Sequence, residues 1–356
     1  MSNRKLNQGF TFDTKIMCQK GIKNIKDVKK TDSIITPDGN YKAVTKIKKQ
    51  EQQIVTIKAY GILDIKCGYN RMFYTKQTFS KFDQASRGKI KTILPPEWIT
   101  ATNLSRSDYI GIPIIKTEEN PLDITKKEAY ILGGYIGSGY FKKQENDSNI
   151  ILTMPKDKAL KFSKNILLDH LLKEHSETRD RIFIKSPRLL EIIEKNCGVG
   201  ASEKYISNML LDLPINILEG LLAGYFDSEG FLIGDATMRT KTMSKNLAVS
   251  LQFAILKCYK ELAAIQYNKI IKKVPGGTNE SKTYENYTVY LCTKKNYKAD
   301  FFIEEDIAWT QVLGITMKNN YELVYDIKIE DNSSYMANSA IVENVQCLFD
   351  CTIIKN

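Results

Sequence analysis

The chain begins by alternating. Between residues 10 and 76, short β-rich pieces (TKIMC, SIITP, AVTKIKK, QIVTIKAY, LDIKCG, MFYTK) are separated by turn signals such as Pro37-Asp38-Gly39-Asn40, which predicts twisted antiparallel strands. From Thr125 the period changes. KKEAYILGGYIGSG, KDKALKFSKNILLDHLLKEHS and SPRLLEIIEKNCG carry apolar residues at helical spacing, with strand-like NIILTM and RIFIKS between them. The order then returns as helix NILEGLLAGYFDSEG, strand GFLIG and its partner, helix SKNLAVSLQFAILKCYKELAAIQ, strands NKIIKKV and YTVYLCT, and a last helix near Lys295 to Phe302. Two consecutive α-β-β-α-β-β-α units imply an internal duplication about a pseudo-twofold axis. After Gly314, ELVYDIKIE and SYMANSAIVENVQ are strand-like again. The fold class expected is therefore mixed α/β plus all-β, one domain inserted into a loop of another: a β-rich part over 1–124, a duplicated α/β domain over 125–312 (repeats 125–211 and 212–312), and the returning β-rich part over 313–356.

Composition narrows the class. Apolar residues make up 42% of the 356 and charged residues 26%, with only 20 Gly and 9 Pro, which excludes a disordered or collagen-like chain. No run reaches the ~18 apolar residues of a membrane span, and MSNRKLNQGFTF has no apolar leader core, so an intracellular protein off the membrane is expected, in cytoplasm or nucleus according to its target. Seven scattered cysteines without CxxC spacing indicate neither a disulfide frame nor zinc. The two histidines, His170 and His175, fall in one helical stretch at a spacing of five that does not stack them on one face. Chemistry here must run on carboxylates, lysines and a metal.

The net charge of +11 is unevenly placed. Residues 1–125 hold 22 Lys+Arg against 12 Asp+Glu, whereas residues 126–356 hold 30 against 29. A local excess interleaved with Tyr60, Tyr69, Phe73, Tyr74 and Phe79 suits a surface that contacts phosphates and stacks on bases.

The first helix of each repeat ends in a similar phrase, Ile131-Leu132-Gly133-Gly134-Tyr135-Ile136-Gly137-Ser138-Gly139 and Leu222-Ala223-Gly224-Tyr225-Phe226-Asp227-Ser228-Glu229-Gly230. Small residues at 133, 137, 223 and 224 let two such helices pack side by side along the dyad, so that their ends meet. A carboxylate at each end would suit two-metal phosphodiester cleavage, because Mg²⁺ favours oxygen ligands and bridges phosphate and water.

These phrases resemble the paired LAGLIDADG motifs of homing endonucleases. The flanks resemble the blocks of an intein, a Hint-type splicing domain: Asp13-Thr14-Lys15-Ile16 with Gly21 to Val28 at the opening, Pro96, Trp98, Ala101, Leu104, Asp108, Tyr109, Ile110 and Pro113 before the insertion, and Val324 to Glu330, continued to Asn344, at the close. The resemblance spans about Gly9 to Asn344. It implies a Hint-like domain interrupted by a LAGLIDADG domain, a monomer with an internal pseudo-twofold, sequence-specific binding of a long duplex DNA site, and Mg²⁺-dependent cleavage in which Mn²⁺ can substitute, with no organic cofactor and no zinc.

Departures from the family pattern divide that expectation. The splicing nucleophile's place is held by Gly9, the Thr-x-x-His block reads Cys67-Gly68-Tyr69-Asn70, and the closing histidines are replaced by Ser333 and Glu343. Asn344 is followed by Val345, so splicing is expected to be lost. In the nuclease, Glu229 keeps an acid while Ser138 holds the matching place of the first motif. Metal ligation is then expected from Glu229 and the Gly137 and Ser228 backbones, with Asp227, Asp147 and Asp235 as further carboxylates near the helix ends. The family's lysine before the second helix is expected to be missing, because that place reads Leu211-Asp212-Leu213-Pro214. Two readings stay open: an impaired or nicking endonuclease, and a nuclease-dead DNA-binding protein of the same fold. For either, DNA contacts are expected from Lys142, Lys143, Gln144 and Asn146 in repeat one, Arg239, Lys241, Lys245, Lys272 and Lys273 in repeat two, and Lys76, Lys81, Arg87, Lys89 and Lys91 in an insertion near 74–95.

Overall fold

The computed structural model describes residues 8–83, 88–142, 149–166, 172–175, 179–233, 237–273, 281–292, 300–331 and 334–344. It is a mixed α/β protein with one large β network and two four-stranded sheets.

Two long strands organise the β network. Tyr41–Ala59 and Ile307–Ile329 run antiparallel along most of their lengths, with register shifts at Val312/Gly314, Lys318/Tyr321 and Lys328/Ile329. Around them pair strands from both ends of the chain: Phe10–Thr11 lies between Cys67 and Val324–Tyr325, and Ala340–Glu343 meets Phe73 through Val342. Met72–Asp83 and Gly88–Thr100 form a long hairpin.

Three expectations are corrected here. The division after residue 312 falls inside a single strand, because Phe301–Glu304 and Ile307–Ile329 already pair with each other and with Tyr109–Pro113 of the β network. Phe301 and Phe302 are strand residues paired with Thr310 and Trp309, so no helix reaches Phe302; residues 293–299 lie outside the described set. The helix expected over KDKALKFSKNILLDHLLKEHS covers Lys156–Ile166 only, and His175 belongs to strand Leu172–His175, which pairs with Arg179–Ile184.

The centre contains six helices among the described residues: α1 Lys126–Ser138, α2 Lys156–Ile166, α3 Pro187–Asn196, α4 Asn208–Leu211, α5 Ile215–Glu229 and α6 Lys245–Tyr259. Capping sets their starts. Thr125 and Glu128 close a capping box on α1, and Ser186, Ser207 and Ser244 cap α3, α4 and α6. Helix α6 stops at Lys260, whose backbone is left-handed (φ 54°), and Ala264–Lys273 is strand; the helix expected to run on through Gln266 is therefore shorter.

Each repeat lays its helices on one face of its sheet. In the first, Ile150, Leu152, Met154, Ile182 and Ile184 are buried; in the second, Ile265, Tyr287, Val289 and Leu291 are. Strand alternation sends the intervening residues to the opposite face. Helix α4 and the second repeat are also pinned to the β network, through Asn208 Nδ2 of α4 to the Cys18 carbonyl (2.6 Å), and through Gln252 Nε2 to the Gly61 carbonyl (2.6 Å) and Asn246 Nδ2 to the Ile22 carbonyl (3.2 Å).

Candidate functional site

The glycine-rich helices α1 and α5 pack against each other backbone to backbone. A Cβ on Gly133 would collide with the Leu221 carbonyl oxygen, and one on Gly224 with that of Tyr130, so the axes approach as only glycine allows. At the far end of the pair a Cβ on Gly137 would collide with Ser228 Oγ and lie 3.1 Å from Glu229 Cγ. The pairing thus brings Gly137, the residue before Ser138, against Ser228 and Glu229. Ser138 Oγ is buried and has no hydrogen-bond partner among the described residues.

Cations surround this junction. Lys204 Nζ donates to the carbonyls of Tyr135 (2.6 Å) and Gly139 (2.8 Å) at the end of α1; Lys158 Nζ donates to those of Ser228 (3.2 Å) and Gly230 (2.8 Å) at the end of α5. Both neutralise a helix C-terminus, where partial negative charge collects. Burial pushes the Glu229 carboxyl above its usual range, against the pull of Lys158, Arg179 and Lys204. Burial likewise lowers Lys204 to about 8.

Sequence reasoning missed Lys158, Arg179 and Lys204. The Leu211-Asp212-Leu213-Pro214 stretch, where a lysine was expected to be missing, stands at the opposite end of α5, about 22 Å from Glu229 for 15 residues. There Asp212 receives the Tyr41 hydroxyl at 3.4 Å and is raised to about 6 by burial, while Lys257 holds the Leu211 and Leu213 carbonyls. A lysine at that place could not reach the carboxylate. The signal for Lys204 was its neighbourhood, the YIS that leads into α4.

A cleft of about 170 Å³ opens at the junction, lined among others by Gly137, Lys204, Glu229 and Lys241. Lys241 also lines a shallower groove of about 410 Å³ on the outer face of the second sheet, beside Arg239, Asn268, Asn286, Thr288 and Tyr290. In this groove Asn268 Nδ2 donates to Thr288 Oγ1 (3.0 Å), the Tyr290 hydroxyl donates to Gln266 Oε1 (3.0 Å), and Arg239 Nε is buried without a partner among the described residues. Lys241 joins the two spaces.

The other expected residues distribute unevenly. Lys142 is exposed at the end of strand Gly139–Lys142, and Lys272 and Lys273 close strand Ala264–Lys273. Lys81 is exposed on the 72–100 hairpin, Lys89 stands opposite Phe82 there, and Lys91 donates to the Tyr109 hydroxyl at 2.9 Å. Three assignments are corrected. Lys76 is buried, pairs with Glu304 and lies 5.2 Å from the Trp309 ring, so it faces the protein interior. Lys245, first residue of α6, is held by the Asp13 carboxylate at 3.0 Å against the β network. Asp227 is taken by Lys161 (2.6 Å) and the Tyr130 hydroxyl (2.7 Å), which ties α5 to α2 and α1 rather than presenting an acid to the cleft. Lys143, Gln144, Asn146, Asp147, Asp235 and Arg87 lie outside the described residues, as do Ser333 and Val345.

Toward a divalent ion the cleft offers one carboxylate, Glu229, beside the ammonium groups of Lys204 and Lys241, and Ser138 does not line it. The Ser228 carbonyl is engaged by Lys158, and among the described residues no group of three or more His, Cys, Asp or Glu side chains comes together.

The region expected to have spliced is closed by packing. A Cβ on Gly9 would run into Val324. Arg71 is buried, and its guanidinium donates to the Gln8 carbonyl, to the Glu343 carbonyl (2.9 Å) and to Asp326 Oδ1 (2.5 Å). Cys67 is buried, its thiol pushed up to about 12. Asn344 exchanges two hydrogen bonds with the Ile329 backbone (3.0 and 3.3 Å), and Asn70 sits in the turn before Arg71. The Glu343 carboxyl is raised by burial.

No protein-family model matches the chain. It is 24% identical over 308 residues to an ATP-dependent DNA helicase Hel308 of Methanocaldococcus jannaschii, covering 80% of this chain and 23% of the helicase. It is also 21% identical over 267 residues to a DNA polymerase of Thermococcus kodakarensis, covering 62% of this chain and 16% of the polymerase. The chain thus spans less than a quarter of the length of either. Among solved structures it is similar to the homing endonuclease I-WcaI bound to its DNA recognition sequence, at 13% identity and a TM-score of 0.33, over 52% of this chain and 80% of that one.

Proposed function

We propose that this protein is an intein-derived LAGLIDADG protein that binds a long duplex DNA site and, with one divalent ion at Glu229, breaks one strand of it. The observation that carries this reading is Lys241: it lies in both the cleft of Glu229 and the polar groove of the second sheet, so that a duplex lying along the sheet would bring its backbone to the helix ends. Arg239, Lys241 and the amides of Asn268 and Asn286 supply the mixture of phosphate and base-edge contacts such binding uses. Similarity to less than a quarter of a helicase and of a polymerase supports descent from a mobile insert.

Each residue has a task in this reading. Lys204 and Lys158 place ammonium groups beside the helix ends, where they attract a phosphate and stabilise charge building on it. Glu229 is the anionic ligand for the ion, and its raised pKa means it loses its proton later than an ordinary glutamate as pH rises. A bound divalent ion would polarise the phosphate and favour hydroxide over water. Ser138, neutral, supplies no acid to the second half of the centre.

Selecting bound sites from a random duplex library in EDTA, then adding Mg²⁺ or Mn²⁺ to a plasmid that carries them, tests the proposal. The expected product is a nicked circle, absent with Glu229→Gln. A nuclease-dead DNA-binding protein is the second reading, favoured by three cations around a single carboxylate; it predicts the same selected sites and no difference between wild type and Glu229→Gln.

A further inference from the structure

A cavity of about 580 Å³ lies where the opening strands Lys15–Cys18 and Gly21–Asn24 and the turn Ile25–Asp27 meet the first turn of α6. It shares no lining residue with the two spaces at Lys241. Its wall is basic: Lys15, Lys23, Lys26 and Lys29 stand against one acid, Asp27. Lys23 is already engaged, holding both oxygens of the buried Asp32 carboxylate (2.7 and 2.9 Å), and Lys26 and Lys29 are exposed. Lys15 is in a different position. It is nine-tenths buried, and its ammonium donates to a neutral atom, Asn24 Oδ1 (2.8 Å). The Asn24 amide in turn donates to Asp27 Oδ2 (3.3 Å), so a neutral group stands between the ammonium and that acid. Asp13, also within electrostatic range, is held by Lys245 at 3.0 Å, and Lys245 itself repels Lys15. A buried charge is ordinarily matched by an opposite charge in contact. Among the described residues Lys15 has none.

The wall also selects what would match it. Ammonium groups on separate elements suit anionic oxygens that point in different directions, as on tetrahedral phosphorus, better than the planar pair of a carboxylate. Ile22 and Val28 are its apolar members and no aromatic ring lines it among the described residues, so it offers no platform on which a base would stack. Asn246, the second residue of α6, brings the positive end of that helix to the same space. We propose that this cavity binds a phosphate group, with Lys15 as its buried counter-charge and Lys26 and Lys29 as the exposed ones. The group is either a free phosphate or one from the backbone of a bound duplex, which present the same anionic oxygens. The duplex source rests on the DNA reading above; the free source does not. Because Lys15 belongs to the β network and Asn246 to the second repeat, a phosphate held there would also tie the two together.

The test uses the full chain in two arms. Inorganic phosphate and pyrophosphate are titrated calorimetrically into wild type, Lys15→Met, Lys26→Ser/Lys29→Ser and Lys164→Met, the last removing an exposed cation from α2. Filter binding of duplex DNA by the same four proteins is the second arm, and circular dichroism checks that each is folded. Binding of free phosphate or pyrophosphate that falls about tenfold in Lys15→Met and in the double variant, with Lys164→Met like wild type, is the result expected of a free-phosphate site. The same pattern confined to the duplex arm identifies the DNA backbone as the source. Absence of a loss specific to Lys15 and to the Lys26 and Lys29 pair in both arms overturns the proposal. If Lys15→Met does not fold, the double variant, at two exposed positions, makes the same contrast. A chain that binds phosphate in this pattern but no duplex defeats the DNA reading and leaves this proposal intact; one that binds duplex equally in all four proteins and takes no free phosphate does the reverse.

Discussion

Two places in this molecule were expected from sequence to resemble reaction centres, and the fold treats them differently. Around Gly9, Arg71 and Asn344 the charged and amide groups are engaged from within: Arg71 donates to two carbonyls and Asp326, and Asn344 is locked to Ile329, although the buried Tyr335 hydroxyl beside Arg71 has no hydrogen-bond partner among the described residues. At the tips of α1 and α5 the buried Ser138 hydroxyl has none among the described residues either, and the Glu229 carboxylate feels three cations. Buried polar atoms are normally satisfied from within. The first place spends its charged group on internal carbonyls and Asp326, whereas the second holds its carboxylate at a cleft.

The sharpest way to break this contrast is at Arg71. Arg71→Met would leave Asp326 and two carbonyls without their donor in the interior, and urea unfolding should show a loss of about 3–5 kcal/mol with no effect specific to DNA. Gly133→Leu drives a side chain into the backbone of α5 and should cost about 3 kcal/mol or more; it should also spoil DNA binding in whatever fraction stays folded, because it separates the helix tips. Glu229→Gln should leave stability and DNA affinity near wild type and reduce nicking by about a hundredfold or more, about 2.7 kcal/mol in the barrier. Arg239→Ala with Lys241→Ala should weaken duplex binding about tenfold and flatten its dependence on salt concentration.

The smallest effect is in pH. Lys204 sits at about 8 in the fold against an ordinary 10.5, so between those values the unfolded chain holds more protons and stability rises with pH. Compared with Lys204→Met, wild type should therefore gain stability across that window in urea melts. Its DNA affinity should fall over the same range as the ammonium beside α1 is lost.

Helix pairing was legible because small residues at the same places in two phrases mean close backbone approach wherever they occur. The strands of the first third were legible from alternation and turn residues. The cations were not, since Lys158 meets α5 seventy residues along the chain and nothing local marks that contact. Lysines 76 and 245 misled for the complementary reason: a basic side chain reads as solvent-facing until tertiary structure supplies Glu304 or Asp13. Phe301 and Phe302 carried no local sign that Thr310 and Trp309 would take them into a strand.

In the proposed reading the ends of α1 and α5 face the backbone of a bound duplex. Tethering an iron–EDTA reagent to a cysteine introduced as Tyr140→Cys, at an exposed position two residues beyond Ser138, with the unsubstituted chain treated alike as control, and mapping the radical cuts on a selected DNA site, checks this placement. Cuts clustered at the middle of the protected stretch, above the control, are predicted. A footprint with no Tyr140→Cys-dependent cuts, or with cuts only beyond its edges, would overturn it.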